Sequence, residues 1–296
     1  MTEPLALTRH VGDIRIHALH GGIQRLDGGA MFGVVPKPLW QKRIAADERN
    51  RIPLAMRCLL VETPDALVLI DNGAGNKENE KFIDIYGLDN AASDADRFPT
   101  RVEEALAHVG FRADDVDIVI DTHLHFDHAG GNTRRAEDGS VELSFARARY
   151  IVQSGELQWS RIRNERIQAS YPRHNIEPVV AAGRMDLVEG DVEIVPGVSV
   201  LRTPGHTPHH QSVLITSNGE TACFLADVIP TSAHLPLPWI MGYDVEPLVT
   251  LESKRTLLAR ARAEQWLLVF EHDPVVAWGR LDPADEKPVL IAPDAP

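Results

Sequence analysis

The sequence predicts a mixed α/β fold, and three observations support this prediction. Short runs of β-branched and apolar residues recur along the chain, as at residues 116–120, and these are typical of buried strands. A helix precedes that run, because Thr100 and Glu103 form a capping box and Gly110 can end the helix. Several apolar runs also end on Asp or His. Helix, strand and polar loop in succession indicate an α/β arrangement.

The N-terminal part of the chain predicts one strand, an irregular segment and a hairpin. Residues 13–19 alternate between apolar and polar types, which favours a half-exposed strand. Residues 28–40 contain apolar side chains without the period of a helix or a strand. That segment is a loop packed on the core, a dimer contact, or one wall of an apolar substrate pocket. Residues 57–63 and 66–73 predict a hairpin.

The later elements are less patterned, but their order is readable. We see no shift in composition that would mark a second domain, so residues 1–296 are predicted to form a single domain. The predicted elements are a helix at 80–85, a strand at 148–152, a helix starting at Glu156, a helix with a loop over the site at 161–174, two short strands within 185–200, a helix at 248–263, a strand at 266–270 and an extended edge piece after Asp282.

Composition and charge exclude several classes of protein. An apolar fraction of 44% with 25% charged residues is ordinary for a globular chain, and no run approaches the roughly 18 apolar residues of a membrane span. The start of the chain, Met1 to Pro4, has no signal-peptide pattern, so we expect a cytoplasmic protein. A net charge of −13 argues against nucleic acid as a partner. Cys58 and Cys223 lie in apolar runs and are expected to be buried thiols.

The residues with the clearest chemistry follow the strand predicted at 116–120. His123, His125, Asp127 and His128 stand within six residues, and imidazole and carboxylate are the ligands that suit zinc and similar ions. In an extended segment, residues i and i+2 share a face, so His123 and His125 can bind one ion. Asp127 and His128 are displaced and can serve a second ion. This spacing favours a metal site over a polar loop that happens to be rich in histidine.

This HxHxDH pattern resembles the metallo-β-lactamase superfamily, and three later strand ends extend the resemblance. His206 follows the run 198–201, Asp227 ends the run 221–226, and His272 ends the run 266–270. The resemblance covers the chain from about Leu59 to His272. It implies a four-layer αββα sandwich with two mixed β-sheets and helices outside.

Five histidines and two aspartates can hold two divalent ions. Zinc is the expected metal, although iron, manganese or cobalt would accept the same ligands. Two ions can share a water that becomes the attacking hydroxide, with Asp127 and Asp227 as catalytic groups. Asp71, at the end of a strand, is expected to hydrogen-bond to a ligand rather than bind metal. The predicted sets are His123, His125 and His206 for the first ion, Asp127, His128 and His272 for the second, and Asp227 between the two.

Within the superfamily, the chain most resembles the branch of quorum-quenching N-acyl homoserine lactonases and organophosphate hydrolases. The resemblance implies a small neutral or apolar ester or lactone as substrate, with promiscuous activity on aryl esters and phosphotriesters. Two alternatives stay open, a glyoxalase-II-like thioesterase and a metal-binding sensor or regulator with little hydrolysis. We expect no membrane partner, and the apolar segment from Met31 to Trp40 is compatible with a homodimer.

The substrate contacts depart from the resemblance at one position. Well-known lactonases carry a tyrosine three residues after the bridging aspartate, where it touches the substrate carbonyl, whereas this chain has Pro230. Tyr243 or His234 could replace that tyrosine. The prolines of the apolar loop at 229–245 exclude a regular helix or central strand, so the loop is expected to lie over the metals. The predicted substrate-binding residues are Phe32, His234, Trp239 and Tyr243.

Overall fold

The computed structural model of the protein describes residues 4–285 and 287–291. Outside the described residues lie 1–3, 286 and 292–296. The first three belong to the start of the chain, where no signal-peptide pattern was found, and the others belong to the edge piece predicted after Asp282. No helix within the described ranges is both long enough and apolar enough to cross a membrane.

The strands alternate with helices along most of the chain, as the α/β prediction requires. In chain order the strands are β1 (Ala6–Val11), β2 (Ile14–Asp27), β3 (Arg51–Glu62), β4 (Leu67–Ile70), β5 (Ile118–Ile120), β6 (Thr133–Arg135), β7 (Val141–Leu143), β8 (Arg149–Gln153), β9 (Met185–Val188), β10 (Val192–Val195), β11 (Val198–Arg202), β12 (Gln211–Ser217), β13 (Glu220–Phe224), β14 (Leu267–Val269), β15 (Trp278–Leu281) and β16 (Leu290–Ile291). The helices are α1 (Gly28–Phe32), α2 (Lys37–Trp40), α3 (Glu80–Tyr86), α4 (Arg101–His108), α5 (Phe126–Ala129), α6 (Ser154–Ser160), α7 (Arg173–Ala181) and α8 (Pro247–Ala263).

Two mixed sheets contain most of these strands, and their topologies are alike. The first sheet has the order β1-β2-β3-β4-β5-β8-β9, and the second has the order β10-β11-β12-β13-β14-β15-β16. Each begins with four antiparallel strands, and in each the fifth strand, β5 or β14, pairs parallel to the fourth. A helix makes each crossover, α4 before β5 and α8 before β14. The sequence hides this repeat, because the two halves share topology rather than residues.

The alternation of side chains within single strands produces the layers. In β4, Val68 and Ile70 belong to the core shared by the two sheets, whereas Leu67 and Leu69 face the outer cluster that includes Val102 of α4. In β13, Phe224 enters the shared core and its neighbour Cys223 packs in the outer cluster with α8. The layers are therefore helix, sheet, sheet and helix, as predicted. That residues 1–296 form a single domain stays a prediction.

Three differences from the predicted elements have local causes. The strand predicted at 13–19 is longer than expected, because β2 runs on past Gly21 and Gly22 to Asp27 through a one-residue shift in its register with β3. The segment 28–40, predicted to be irregular, forms α1 and α2, which are too short to show a helical period. Helix α7 was not predicted, since it carries Pro178 in its interior.

Candidate metal centre

The candidate ligands reach one place from four strand ends in both sheets. His123, His125, Asp127 and His128 follow β5 directly, and α5 begins within the motif, at Phe126. The remaining three ligands follow strands of the second sheet: His206 after β11, Asp227 after β13 and His272 after β14. The core that holds the two sheets together therefore also sets the distance between the ligands from the first sheet and those from the second.

The first group consists of three imidazoles and one carboxylate. His125 Nδ1 lies 2.9 Å from His123 Nε2 and 3.1 Å from His206 Nε2. His206 Nε2 lies 3.0 Å from Asp227 Oδ2. These four ligand atoms lie within 4.8 Å of one another, so a single ion can contact all of them.

The second group consists of Asp127, His128 and His272. The Nε2 atoms of the two histidines are 3.2 Å apart. Asp127 Oδ2 lies 3.8 Å from His128 Nε2 and 3.7 Å from His272 Nε2. This group matches the set predicted for the second ion.

Asp227 lies between the two groups and presents one oxygen to each. Oδ2 is 3.0 Å from His206 Nε2, and Oδ1 is 3.0 Å from His272 Nε2. Oδ1 is buried and has no hydrogen-bond partner among the described residues. A buried carboxylate oxygen without a partner is costly unless a cation or donor satisfies it.

The donor set fits two divalent ions. Ligand atoms at about 2.0–2.1 Å from a tetrahedral ion lie roughly 3.3 Å apart, and the separations within both groups are 2.9–3.9 Å. Imidazole nitrogens that converge at such distances repel one another unless a proton or a cation lies between them. Nitrogen and carboxylate oxygen ligands without cysteine suit zinc, iron, manganese or cobalt.

The pKa values of the candidate ligand histidines shift in two directions, because burial dominates for some and the Asp227 carboxylate dominates for others. Burial, followed by the neighbouring imidazoles, holds the pKa of His123 and of His125 well below the usual range, so both are neutral and able to bind metal. For His206 and His272, burial opposes the charged form, but Asp227 outweighs it and raises the pKa to about 10 and about 9. Burial likewise opposes the charge of Asp227, yet His206, His272 and His128 keep its pKa well below the usual range.

Hydrogen bonds on the far side of the rings orient several ligands. His128 Nδ1 lies 3.0 Å from Asp71 Oδ2 and 3.0 Å from Glu271 Oε2. His206 Nδ1 lies 2.9 Å from Asp244 Oδ1, and His272 Nδ1 donates to the carbonyl oxygen of Ala55 at 2.6 Å. A carbonyl or carboxylate on one ring nitrogen fixes the tautomer and leaves the other nitrogen free for metal.

Other buried groups support the centre through the backbone. His210 accepts a hydrogen bond from the backbone N–H of Asp227 at 3.2 Å. Burial, followed by His206, lowers the pKa of His210 to about 3, so it is a neutral acceptor. Glu156 accepts from the Thr207 hydroxyl, the Tyr171 hydroxyl and the Leu124 N–H, which joins three loops around the ligands.

A cavity of about 430 Å³ opens onto the candidate ligands. Five of the seven ligands line it, whereas His123 and His128 lie beneath them and are fully buried. Apolar side chains from both ends of the chain form much of the remaining wall. The lining residues outside the ligand set are Gln24, Leu26, Ala30, Met31, Leu54, Tyr86, Phe126, Arg166, Ile167, Ala169, Ser170, Met241, Gly242, Tyr243 and Val245.

Of the four predicted substrate contacts, the structure places only Tyr243 on this wall, among the described residues. Phe32 and His234 are fully buried and stack on each other with ring centroids 4.5 Å apart. His234 Nε2 donates to the Met31 carbonyl at 2.8 Å, so its polar end is already used. Trp239 packs its edge against Phe32 at 5.7 Å. Phe32, His234 and Trp239 are not among the lining residues, and Phe32 and His234 form a buried layer behind the wall.

Sequence analysis missed three residues around the site. Gln24 of β2 is fully buried, and its Nε2 donates to Asp127 Oδ2. A lone amide in the apolar part of a strand was the available signal. Tyr86 ends α3 on the cavity wall, one residue beyond the predicted helix. Asp244 follows Tyr243 and is the single acidic residue in the sequence of the apolar loop at 229–245. Their roles depend on contacts with distant segments.

Comparisons with known proteins agree with this geometry. The family model described as the metallo-beta-lactamase superfamily matches residues 53–272. An N-acyl homoserine lactonase of Bacillus thuringiensis is 32% identical over 230 residues, which are 74% of this chain and 82% of that protein.

Two solved structures extend the comparison. A probable metal-dependent hydrolase from Staphylococcus aureus superposes with a TM-score of 0.86 at 32% identity, covering 97% of this chain and 99% of that one. An N-acyl homoserine lactone hydrolase with the product N-hexanoyl-L-homoserine at its catalytic metal center gives a TM-score of 0.64 at 27% identity, covering 90% and 95%.

Proposed function

This chain belongs to the metallo-beta-lactamase superfamily, and from that membership we propose that it uses two divalent ions to hydrolyse lactones of the N-acyl homoserine type. The observation that carries the proposal is the position of Asp227, whose two oxygens face two separate groups of ligands at 3.0 Å. The lactonase from Bacillus thuringiensis, similar over 74% of this chain, supports the choice of substrate class.

The proposed reaction divides the work between the ions and the protein. Two ions in such a site lower the pKa of water toward neutrality and polarise the carbonyl that is attacked. Zinc is the metal we propose first, because nitrogen and oxygen ligands at tetrahedral spacing suit it. The seven candidate ligands would hold the ions. Three of them have buried hydrogen-bond partners: Asp71 for His128, Asp244 for His206 and Gln24 for Asp127.

Asp127 is the group we propose for proton transfer. Opening a lactone converts the ring oxygen into an alkoxide, which needs a proton to leave as a hydroxyl. Asp127 lines the cavity beside His272, and its Oδ2 receives the Gln24 N–H, which fixes the carboxylate in place. Asp127 would take the proton that the attacking water gives up and pass it to the ring oxygen as the carbon–oxygen bond of the lactone breaks.

Tyr243 is the residue we propose in place of the tyrosine that Pro230 replaces. Its side chain lines the cavity and is 40% exposed, and its hydroxyl has no hydrogen-bond partner among the described residues. Burial, with the charges of Asp27 and Asp127, raises its pKa to about 12, so the phenol stays a hydrogen-bond donor. We propose that this hydroxyl donates to the ring carbonyl. His234 is a weaker candidate, since its Nε2 is bound to Met31.

The cavity wall favours a neutral substrate with an apolar arm. Its volume of about 430 Å³ is in the range of small-ligand sites, which are mostly apolar with a few placed polar groups. Activity on aryl esters and phosphotriesters would use the same ions. The homodimer stays a prediction, and within the segment that suggested it Val34 and Leu39 are exposed.

Hydrolysis by protein of known metal content tests the proposal. The panel comprises N-acyl homoserine lactones, alkyl γ-lactones, aryl esters, a paraoxon-type triester and S-lactoylglutathione, with His123→Ala as the inactive reference. We expect lactone opening that disappears in His123→Ala. Turnover of the thioester alone would replace the lactonase proposal, and two bound ions without turnover would favour a sensor.

A further inference from the structure

Tyr86 presents a phenol on the apolar part of the cavity wall. The residue ends α3, is half-buried, and has no hydrogen-bond partner for its hydroxyl among the described residues. The same wall contains Leu26, Leu54 and Phe126, and the Phe126 ring packs on that of Tyr86. A phenol on a largely apolar wall is the kind of group that fixes the orientation of a ligand.

The ring of Tyr86 is held in place by packing on two sides. Its centroid lies 4.4 Å from that of Phe82 and 4.5 Å from that of Phe126. Phe126 directly precedes the candidate ligand Asp127. Burial, followed by the charge of Asp127, raises the pKa of Tyr86. The phenol therefore lies close to the candidate centre and keeps its proton at neutral pH.

The backbone that follows α3 is fixed as well. Ile23 of β2 and Asp89 exchange two hydrogen bonds, 2.9 Å from the Ile23 N–H and 2.8 Å from the Asp89 N–H. Gly87, with φ of +56°, ends the helix against the backbone of Arg25. A donor held this firmly loses little conformational entropy when it binds a ligand. Tyr243 differs, because it lies on a loop and is 40% exposed.

We propose that the Tyr86 hydroxyl donates a hydrogen bond to the amide carbonyl of the substrate's acyl arm, and so selects N-acyl lactones over lactones without an amide. This inference rests on the proposed function. An N-acyl lactone offers two carbonyl oxygens. In the proposed reaction the ring carbonyl would lie at the metal centre and accept from Tyr243, which would leave the amide carbonyl for a donor on the wall that receives the arm.

The test compares two substrates in each variant. The substrates are N-hexanoyl homoserine lactone and an alkyl γ-lactone of equal length that has no amide. Tyr86→Phe keeps the ring contacts with Phe82 and Phe126 and removes only the hydroxyl. We expect the ratio of the two kcat/KM values to fall roughly tenfold, which is what one lost hydrogen bond of ordinary strength produces.

Tyr243→Phe is the matched control, because it removes the other phenol of the wall. It is expected to lower both kcat/KM values together and to leave their ratio unchanged. An unchanged ratio in Tyr86→Phe would overturn the inference while the proposed function stands.

A binding measurement separates the two failures. N-cyclopentylhexanamide carries the amide but no scissile bond, so its affinity for the metal-loaded protein is measured by calorimetry without turnover. Tighter binding to the wild type than to Tyr86→Phe supports the inference even if neither lactone is opened, an outcome that would overturn only the proposed function. Equal affinity, or no binding to the wild type, overturns the inference.

Discussion

At the scale of single residues, the candidate centre depends on groups that do not bind metal themselves. Asp71 has a φ of +51° and accepts from both the N–H and the hydroxyl of Thr122, each at 2.7 Å. Its Oδ2 also faces His128 Nδ1 at 3.0 Å. Asp71 therefore fixes the start of the ligand loop, and it orients His128 together with Glu271, whose Oε2 lies 3.0 Å from the same ring nitrogen.

Asp71→Asn should weaken binding of the second ion while leaving the fold intact. Asparagine tolerates a positive φ, and its oxygen can keep the bond from the Thr122 N–H. Its amide nitrogen, however, sets a donor against His128 Nδ1–H, which favours the tautomer with the proton on the ligand nitrogen. We expect the affinity for the second ion to fall roughly 10- to 100-fold.

Metal titration against a competing chelator measures this change. Asp65→Asn, in an exposed turn between β3 and β4, is the control and should not alter either affinity. Two unaltered affinities in Asp71→Asn would contradict the orienting role of Asp71.

The candidate ligands could be identified from the sequence because the signal for each is local. A ligand such as Asp227 directly follows an apolar strand, and the pattern of strand and ligand repeats four times. Asp244 and Gln24 could not be predicted in the same way, since each acts on a ligand from a distant segment, 38 and 103 residues away. The buried position of Phe32 also depends on a partner, His234, that only the fold brings close.

At the scale of elements, the loop that follows Asp227 is held by helix α8. Lys254 is fully buried and donates to the carbonyl oxygens of Pro236 and Trp239, both at 2.8 Å. The same loop continues into Met241 and Tyr243 of the cavity wall. A buried ammonium group that satisfies backbone carbonyls explains how a proline-broken loop keeps one conformation.

Lys254→Met should destabilise the protein and loosen the cavity wall. Methionine fills a similar volume but donates no hydrogen bond, which leaves the Trp239 carbonyl without this partner. We expect a loss of roughly 2–3 kcal/mol in the free energy of unfolding, or roughly 4–10 °C in Tm. KM should also rise and kcat should fall, because the loop carries both Tyr243 of the cavity wall and Asp244, the hydrogen-bond partner of His206.

Arg255→Met provides the matched control on the same helix. Arg255 is 52% exposed and pairs with Glu252 at 3.2 Å, and exposed pairs of this kind contribute little to stability. Calorimetry of both variants at equal metal content gives the comparison. Equal Tm values for the two variants would show that Lys254 does not hold the loop.

At the scale of the whole molecule, the candidate ligands come from both sheets. Four of the seven ligands follow β5 of the first sheet, and three follow strands of the second. The shared core already joins these sheets, but the ligand loops lie at its edge, where imidazole rings from both sheets come close to one another. His123, His125 and His206 converge there with nitrogens about 3 Å apart. Without a cation, such a cluster opposes close approach of the two sheet edges.

Removal of metal should therefore lower the stability of the entire domain rather than of the loops alone. A ligand that binds only the folded state adds about 4 kcal/mol when its free concentration is a thousand times its Kd, and two ions add twice that amount. We expect chelated protein to unfold at a clearly lower Tm in a single transition, since the ligands are distributed over both halves of the fold.

Titration of metal back into the chelated protein should restore the Tm, with a break at two equivalents per chain. In Asp227→Asn the bridging carboxylate loses its charge while keeping its shape, so the break should be less distinct and the restored Tm lower. A full return at one equivalent, with Asp227→Asn behaving like the wild type, would show that one ion suffices and that Asp227 does not bridge. Because the break counts ions through stability alone, it tests the dinuclear centre whatever substrate the enzyme turns over.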